Sequence, residues 1–502
     1  MQEEIHSYTG FDESDRYKEG ETYHVDGLTR PRFTGFLDPL TCVCNSRPCH
    51  SVYYDTEHSG NISVEGDIGI VTSTGITLKS KVGAVDIARA AIERFRKNVR
   101  KTVMYDKYDG QTKECTESIM EKNVGIAFTN GRHCQSSADT RQFRGAVSAA
   151  VGGFSTSRMH GEKSIALVTG AGCASFADGG VGNASIATNY GSVSAVEGSR
   201  SIAAATDEDS LSGARGDSNI SAVSGDYGAS TVDGWACIAA ATGMYSASSL
   251  TGNNGVSSST GKNGKSVAVG HYCVSTASGA ESISKSNGGY SISAVTGAKG
   301  KSLSAGACSI SVATGDTAGS ESEGHSAIAA SSGEQGSSLV KGARSVAVTT
   351  GRYGSSSAEG DGVMAVSTMK GSASANGLNV MAASNGSFNT VTATGTRGIS
   401  LSNGFHGTAI ADGEGCVAVA NGHVNTASAV NGASLAIASG DGCCAQGDVG
   451  SWLVLSEWIE KPTDGYNRVL KDVKAVFVDG EKIKPNTPYM LINGKIQEPP
   501  NI

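Results

Sequence analysis

The residues best suited to chemistry are three cysteines and two histidines near the start of the chain. They are Cys42, Cys44, Cys49, His50 and His58. Thiolate and imidazole groups at this spacing could hold zinc. The usual zinc signature has two separated C-x-x-C pairs, whereas this segment reads C-x-C and then C-H. The pattern therefore favours small buried cysteines beside a surface histidine, and we expect the protein to bind no metal.

The remaining candidates for chemistry are weaker. A basic run over residues 94–101 could grip phosphate, but cations are also typical of the C-terminal end of a solvated helix. Serine is too frequent to single out a Ser–His–Asp arrangement, and the glycines form neither a P-loop nor a G-x-G-x-x-G turn. Four histidines fall at predicted turns and are interpreted as solvated corners: His271, His325, His406 and His423. We therefore expect no catalytic site and no cofactor.

Small residues dominate the composition. Of the 502 residues, 68 are glycine and only 8 are proline, and 18% are charged. Disordered tracts are normally rich in charge and proline, so this composition argues against disorder. The net charge of −8 gives no general attraction to nucleic acid or to anionic membranes. No apolar run is long enough to span a membrane, so we expect no membrane span. Because the sequence shows neither a secretory signal nor a regular cysteine spacing, we expect cytoplasmic synthesis and mostly reduced thiols.

An internal repeat determines the predicted architecture. Residues 217–360 form eight units of eighteen residues, with a glycine at every ninth position from Gly225 and Gly234 to Gly351 and Gly360. The phase shifts at residues 368–371, and looser copies extend the array to about residues 161 and 450. Each nine-residue half alternates small and β-branched residues and then breaks at glycine, which is typical of a strand followed by a turn.

The predicted fold class is therefore mainly β. Two strands and two turns per eighteen residues indicate a two-sheet β-solenoid, or β-roll, of facing parallel sheets. About sixteen coils stacked about 4.8 Å apart would extend on the order of 75 Å. A calcium-binding nonapeptide array shares the glycine spacing but needs a column of aspartates, and this chain has none. We therefore expect no calcium in the array.

Through the eight units one column is always Ile or Val and another is always Ser, and we interpret them as stacking or oligomer columns. The first strand of each unit carries Ile220, Ile238, Val256, Val274, Ile292, Ile310, Ile328 and Val346. The second strand carries Ser230, Ser248, Ser266, Ser284, Ser302, Ser320, Ser338 and Ser356. Charges in the second strand alternate with this serine column, so the serines are predicted to face inward and to pair from coil to coil.

The first strand of each unit carries no charge on either face. A sheet with no charged face is normally covered on both sides, and the solenoid interior covers only one. We therefore expect a homo-oligomer, with the same surface of another copy as the second cover. The alternative is that serine and alanine form a surface that is stable when exposed to water. The pattern leaves open which parity faces out: that of Ala239, Ser293 and Ala329, or that of Thr242 and Thr314.

The flanking segments have ordinary composition and divide the chain into three predicted domains. Residues 1–150 are predicted to form an α+β head, residues 151–450 the solenoid, and residues 451–502 a β cap. In the head, strands are predicted at 51–56 and 67–79, and a helix at 82–101 from its apolar stripe. In the cap, SWLVLSEW closes the solenoid end, and Asp479–Gly480 and Asn493–Gly494 predict two short hairpins.

The array resembles the β-roll heads of trimeric autotransporter adhesins, and small-residue β-rolls also occur in phage tail fibres. The matching segments are KSVAVG (265–270), RSVAVTTG (344–351) and GCVAVANG (415–422). The coils of the adhesins are shorter, so trimer packing does not transfer position by position. The resemblance implies side-by-side packing of three chains.

The first hundred residues resemble an uncharacterised domain found at the N-terminus of many phage and prophage proteins. The matching segments are YTGFDES (8–14), EGETYHVDG (19–27), VYYDTEHSGNIS (52–63) and VGAVDIARAAIE (82–93). The end of the chain also resembles the ends of such proteins. The resemblance implies a phage context, with the protein in the virion or the host cytoplasm, and implies no activity.

The sequence thus predicts a non-enzymatic, phage-associated structural or binding protein that assembles as a homo-oligomer, with a trimer favoured by the resemblance. Its partners would be other copies of itself and virion or host proteins. Two alternatives remain open. One is an enzymatic or toxin head, such as an ADP-ribosyltransferase-like domain, on a solenoid scaffold. The other is an intracellular protein that sequesters other molecules along the solenoid.

Overall fold

The computed structural model describes residues 5–12, 17–24, 33–37, 42, 51–65, 70–83, 86–87, 89–90, 117–120, 126–144, 147–461 and 464–500. The chain divides into two compact units, Met1–Ser278 and Gly279–Ile502. Strands form almost all of the regular structure, and the short helical stretches lie at Cys42, at residues 86–87 and at residues 89–90. No helix within these ranges is long and apolar enough to cross a membrane.

The first unit begins with a seven-stranded sheet in which all neighbouring strands are antiparallel. In spatial order its strands are Thr22–His24, Gly75–Val82, Ser51–Ser59, Ile5–Asp12, Phe33–Phe36, Ile70–Ser73 and Ser63–Glu65. We call this the head sheet. The strand predicted at 51–56 is confirmed, because it forms the first part of Ser51–Ser59.

Two predictions for the head are corrected. The strand predicted at 67–79 is two strands, because the chain bends at Thr74, whose hydroxyl accepts a hydrogen bond from the Asn61 N–H at 2.9 Å. The helix predicted from residue 82 begins later, because Val82 ends a strand. Most of its predicted apolar stripe and the basic run lie outside the described residues.

The rest of the first unit is a parallel β-solenoid, whose two sheets we call the first and the second sheet. The strands of the first sheet are Ile126–Asn130, Val147–Val151, Ile165–Thr169, Ala184–Thr188, Ile202–Thr206, Ile220–Ser224, Ile238–Thr242, Val256–Thr260 and Val274–Ser278. The strands of the second sheet are Glu117–Met120, Gln135–Arg144, Thr156–Glu162, Ala174–Val181, Val193–Ser199, Leu211–Arg215, Ala229–Asp233, Ala247–Thr251 and Lys265–Val269. Parallel pairing thus begins before residue 151.

The second unit repeats this two-sheet arrangement. Its first sheet contains Ile292–Thr296, Ile310–Thr314, Ile328–Ser332, Val346–Thr350, Met364–Thr368, Met381–Ser387, Ile399–Phe405, Val417–His423, Leu435–Asp441 and Trp452–Lys461. Its second sheet contains Ile283–Asn287, Lys301–Ala305, Gly319–Glu323, Ser337–Lys341, Ser355–Glu359, Ser372–Asn376, Thr390–Thr394, Thr408–Asp412, Thr426–Val430 and Cys444–Gly447. The chain therefore forms the solenoid fold that the repeat predicts, with about eighteen turns where the sequence predicted about sixteen.

The strand register confirms the eighteen-residue coil. In the first unit Ile220 pairs with Ile238, and Ile238 pairs with Val256. In the second unit Ile310 pairs with Ile328 in the same way. The phase shift predicted at residues 368–371 is also present, because the next coil is one residue shorter and Met364 pairs with Met381.

Glycine is required at the corners because successive coils approach there most closely. All sixteen glycines of the regular repeat have φ between 115° and 156°, as the turn prediction requires. A β-carbon placed on Gly315 would lie 2.5 Å from the carbonyl oxygen of Gly297 in the coil before it. Each corner glycine therefore permits both the backbone conformation and the stacking distance.

The interior of the solenoid is thin and lined by small side chains. The predicted inward position of the serine column is confirmed, since its eight serines are at most 3% exposed. Their pairing runs across the interior between the two sheets. In the first unit the Ser266 hydroxyl donates to Ser257 Oγ, and the Ser275 hydroxyl donates to Ser266 Oγ, each at 2.9 Å. The hydroxyl chain therefore advances half a coil at a time rather than along one column.

The C-terminal cap differs in part from its prediction. The long hairpin of Trp452–Lys461 and Asp464–Phe477 extends the first sheet with an antiparallel strand. The hairpin predicted at Asn493–Gly494 is confirmed between Met490–Ile492 and Lys495–Gln497. The one predicted at Asp479 is wrong, because the Asp479 carboxylate accepts hydrogen bonds from three successive backbone N–H groups and forms a compact turn.

We expect Gly315→Ala to lower the free energy of unfolding of the second unit by about 2 kcal/mol or more, because it adds a backbone clash to a left-handed residue. Gly319→Ala is the matched control. Gly319 lies in a strand, and its added β-carbon would meet only the flexible Ser337 hydroxyl, at 3.1 Å. Urea unfolding followed by circular dichroism measures both variants. Equal stability of the two variants would contradict the role assigned to the corner glycines.

Candidate binding surfaces

The predicted cysteine and histidine cluster is only partly described. Cys42 is buried against the solenoid, and His58 is buried inside the head sheet. Cys44, Cys49 and His50 lie outside the described residues. Within the described ranges, no group of three or more His, Cys, Asp or Glu side chains could hold a metal ion, and every cysteine there is free.

The sequence predicted a histidine at the surface. His58 instead lies at the centre of a buried polar network. Its Nε2 lies 2.7 Å from Ser7 Oγ, and its Nδ1 lies 2.7 Å from Ser73 Oγ. Because the Ser73 hydroxyl donates to the Gly75 carbonyl, it accepts a hydrogen bond from Nδ1–H, which leaves Nε2 to accept from Ser7. A β-carbon at Gly35 would overlap Ser7 and His58, so glycine is needed there.

Burial keeps the imidazole of His58 neutral at pH 7. Burial lowers the pKa of His58 to about 4, from 6.5 for an exposed histidine. Ser7, His58 and Ser73 are at most 1% exposed, so no substrate reaches the imidazole in this conformation. The network therefore stabilises the head sheet, and it is not an accessible Ser–His site.

We expect the head to lose about 3 kcal/mol of stability as the pH falls from 6.5 to about 4. The sign follows because the unfolded histidine binds a proton in this range while the folded one does not. Pulse proteolysis in urea at pH 7 and near pH 4 measures the loss. His58→Gln should be less stable at pH 7 and should lack this pH dependence; an unchanged dependence would contradict the assignment to His58.

At the first, third and fifth positions of its parallel strands, which face outward, the first sheet carries no Asp, Glu, Lys or Arg in either unit. In the first unit Ile220 and Ile238 are 37% and 41% exposed, and in the second unit Ile292 and Ile328 are 38% and 40% exposed. The Ile/Val column thus faces outward, together with the parity of Thr242 and Thr314. The opposite parity lies inside: Ala239, Ser293 and Ala329 are fully buried.

We call the first, third and fifth positions of the ten strands in the second unit's first sheet, from Ile292 to Ser456, the uncharged face. It includes, besides the aliphatic column, a middle column such as Val312, Val348 and Leu401. Ten strands about 4.8 Å apart, each about 17 Å long, give this face roughly 800 Å². Monomeric proteins rarely expose apolar patches of more than a few hundred Å². The aromatic pair Trp452 and Phe477 closes its end, with ring centroids 5.5 Å apart.

The second sheet behaves differently. Its outward positions carry the charges, as the sequence predicted, and in the second unit Lys341 lies 3.7 Å from Glu323 and 3.9 Å from Glu321. The predicted solvated corners are confirmed for His271, His325 and His406, whereas His423 ends a strand; all four side chains are exposed.

In the first unit, the head covers part of the second sheet. Phe176, Val193 and Leu211 face outward there and are buried together with Tyr53 and Ile87 of the head. Two guanidinium groups lie over the Phe176 ring, with Arg89 at 5.9 Å and Arg158 at 5.8 Å from its centroid. This contact was not predicted. Its signal in the sequence is three large apolar residues on three successive strands, at positions that are mostly small, polar or charged in the other coils.

Ion pairs fasten the head to the solenoid. The two terminal nitrogens of Arg215 lie 3.2 Å from the two carboxylate oxygens of Asp86, and Arg89 pairs with Glu197. The hydrogen bond to Asp86 raises the pKa of Arg215. Bidentate geometry makes the first pair directional.

We expect Arg215→Ala and Asp86→Ala to loosen the head with a coupling energy of about 1 kcal/mol, because both side chains are partly exposed to water. A double-mutant cycle on the rate of proteolytic cleavage within the head measures this coupling. Strictly additive effects would show that the two side chains do not stabilise the head through each other.

No protein-family model, no curated protein and no solved structure matches the chain. The class of the protein is therefore defined by its architecture, a parallel β-solenoid with an N-terminal antiparallel sheet and a C-terminal hairpin.

Proposed function

We propose that the protein is a non-enzymatic, phage-associated structural and binding protein, whose solenoid assembles side by side with further copies of the same chain. The observation that carries this proposal is the uncharged face. It combines a column of half-exposed or exposed aliphatic side chains with the absence of Asp, Glu, Lys and Arg from the first, third and fifth positions of ten strands. A surface in permanent contact with water has no physical reason to exclude charge.

Burial against another copy supplies that reason. An unpaired charge in a dry interface costs several kcal/mol, so a buried face excludes charge at every position. The uncharged face has roughly the area that each partner contributes to a stable protein–protein interface, about 800 Å². The charged outward face of the second sheet offers no such surface in the second unit.

The second copy is the occupant that best explains the repetition. A face that repeats every coil matches a partner that repeats at the same spacing, and another solenoid of the same chain has that spacing. The resemblance to trimeric adhesins and phage fibres favours three copies. In this assembly the solenoid displays its remaining surfaces for binding.

We expect Thr296→Glu, Thr314→Glu and Thr350→Glu together to dissociate the assembly, because they place three charges on the uncharged face. The matched control carries Ser337→Glu, Ser355→Glu and Ser372→Glu on the outward face of the second sheet, where charge is normal. Sedimentation velocity at micromolar concentration measures the mass, which should be that of a trimer for the wild type and the control. A monomeric wild type would refute the proposal.

A further inference from the structure

The two sheets of the second unit end differently at the cap. The last strand of the second sheet, Cys444–Gly447, is covered, because the Tyr489 N–H donates to the Ala445 carbonyl at 2.8 Å and the Ala445 N–H donates to the Tyr489 carbonyl at 3.0 Å. The first sheet ends instead in Asp464–Phe477, whose only strand partner within the described ranges is Trp452–Lys461. Within the same ranges the other edge of this last strand has no strand beside it, and we call it the terminal edge.

The backbone groups of the terminal edge follow from the pairing on the opposite side of the strand. The Val478 N–H donates to the Ser451 carbonyl at 3.0 Å, so the backbone of Val478 faces the neighbouring strand. In an antiparallel strand the N–H and C=O of one residue point to the same side, and this side alternates from residue to residue. Val473, Ala475 and Phe477 therefore direct their N–H and C=O groups to the terminal edge.

The terminal edge lacks most of the features that prevent strand pairing in other proteins. Those features are short edge strands, proline and lysine side chains presented at the edge. The strand Asp464–Phe477 has fourteen residues and contains no proline. Its two lysines are bound within the chain, because Lys471 donates to the Glu457 carboxylate at 2.7 Å and Lys474 donates to the Gly494 carbonyl. The edge is therefore open to another strand.

Apolar side chains are exposed along the same strand. Leu470 is 51% exposed, Val473 is 49% exposed and Phe477 is 43% exposed. A register shift against the neighbouring strand lies beside Leu470, and the pairing is regular from Asp472 to Phe477. Backbone groups that point away from the sheet and apolar side chains beside them are the two features through which one strand adds to another.

We propose that the terminal edges of two copies of the chain pair as antiparallel strands about a two-fold axis at Val473. In this register each Asp472 lies opposite Lys474 of the other copy, so the charges are complementary. Within one chain these two side chains lie on the same side of the strand, with Asp472 Oδ2 4.0 Å from Lys474 Nζ. The Val473 N–H donates to the Asp472 carboxylate at 2.9 Å in the single chain, and on pairing it donates to the Val473 carbonyl of the other copy.

A second copy is the occupant that the charges favour, because the strand is complementary to itself. A register centred on Leu470 would place Arg468 opposite Asp472, but the register shift lies beside its centre and Arg468 already pairs with Asp441. Pairing about one two-fold axis uses both edges, so it stops at two partners.

This contact goes beyond the proposed side-by-side assembly. The uncharged face consists of outward side chains on ten other strands, whereas the terminal edge consists of backbone groups of the strand that follows them. Both contacts can therefore form in one assembly. The edge contact is far smaller than a standard interface, so we expect it to form at higher protein concentration than the side-by-side contact.

Disulfide trapping of the full chain at high protein concentration tests the inference. Val473→Cys should form a disulfide between two copies, because the Cα atoms of a hydrogen-bonded antiparallel pair lie about 5.5 Å apart, within the range of a disulfide. Leu470→Cys is the matched control, since it is exposed to the same degree on the same strand, but its two copies would lie about 20 Å apart. Electrophoresis without reductant should show several-fold more dimer for Val473→Cys than for Leu470→Cys or the wild type.

Charge exchange in the Val473→Cys chain provides a second measurement. Asp472→Lys places a lysine opposite Lys474 of the other copy and should lower the cross-linked fraction roughly threefold or more, and adding Lys474→Asp should restore it. Three outcomes would overturn the inference: no cross-link in Val473→Cys, equal cross-linking of the two cysteine variants, or no response to the charge exchange.

Sedimentation at micromolar concentration separates this result from the proposed assembly. A trimeric wild type whose Val473→Cys variant does not cross-link refutes only the edge pairing. A monomeric wild type whose Val473→Cys variant does cross-link refutes only the side-by-side assembly.

Discussion

The structure depends on backbone hydrogen bonding between coils that continues through the corners. In the second unit the N–H of Gly315 donates to the Ser332 carbonyl at 2.9 Å, and the N–H of Gly333 donates to the Thr350 carbonyl at 3.1 Å. Because the turns pair as regularly as the strands, a side chain that pushed two corners apart would break pairing along a whole coil. The regular hydrogen bonding between coils therefore depends on glycine at the corners.

The interior between the two sheets is lined mainly by small side chains, and its thinness decides where each kind of side chain goes. It accepts alanine, valine and serine, and the serine hydroxyls form hydrogen bonds with one another across the gap between the sheets. Larger aliphatic residues such as Ile292 and Ile328 must then face outward. The core of such a solenoid contributes little apolar burial per residue, so assembly through an outward face is a physically reasonable source of further stability.

The periodic part of the fold could be predicted because each of its rules acts within one coil. The glycine spacing predicts the length of the coil, and the alternation of charged and small residues predicts which residues of the second strand face inward. The first strand has no charge on either face, so its parity could not be predicted; the bulk of Ile220 against the size of Ser221 decides it. Contacts between distant segments, such as Asp86 with Arg215, leave no local pattern. The Asp479 turn was misread because Asp-Gly also occurs where a carboxylate caps successive N–H groups.

Function in such a protein is most readily found where the repeat is broken, since the repeat itself meets only the needs of folding. Phe176 breaks the repeat under the head, where two arginine guanidinium groups lie over its ring. The terminal hairpin breaks it where an antiparallel strand ends the first sheet. The uncharged face is a different case. There the repeat is kept, and its residue types are restricted more narrowly than folding alone requires. Folding explains why charge is absent from the interior, and the proposed second copy accounts for its absence from the uncharged face while charge is common on the outside of the second sheet.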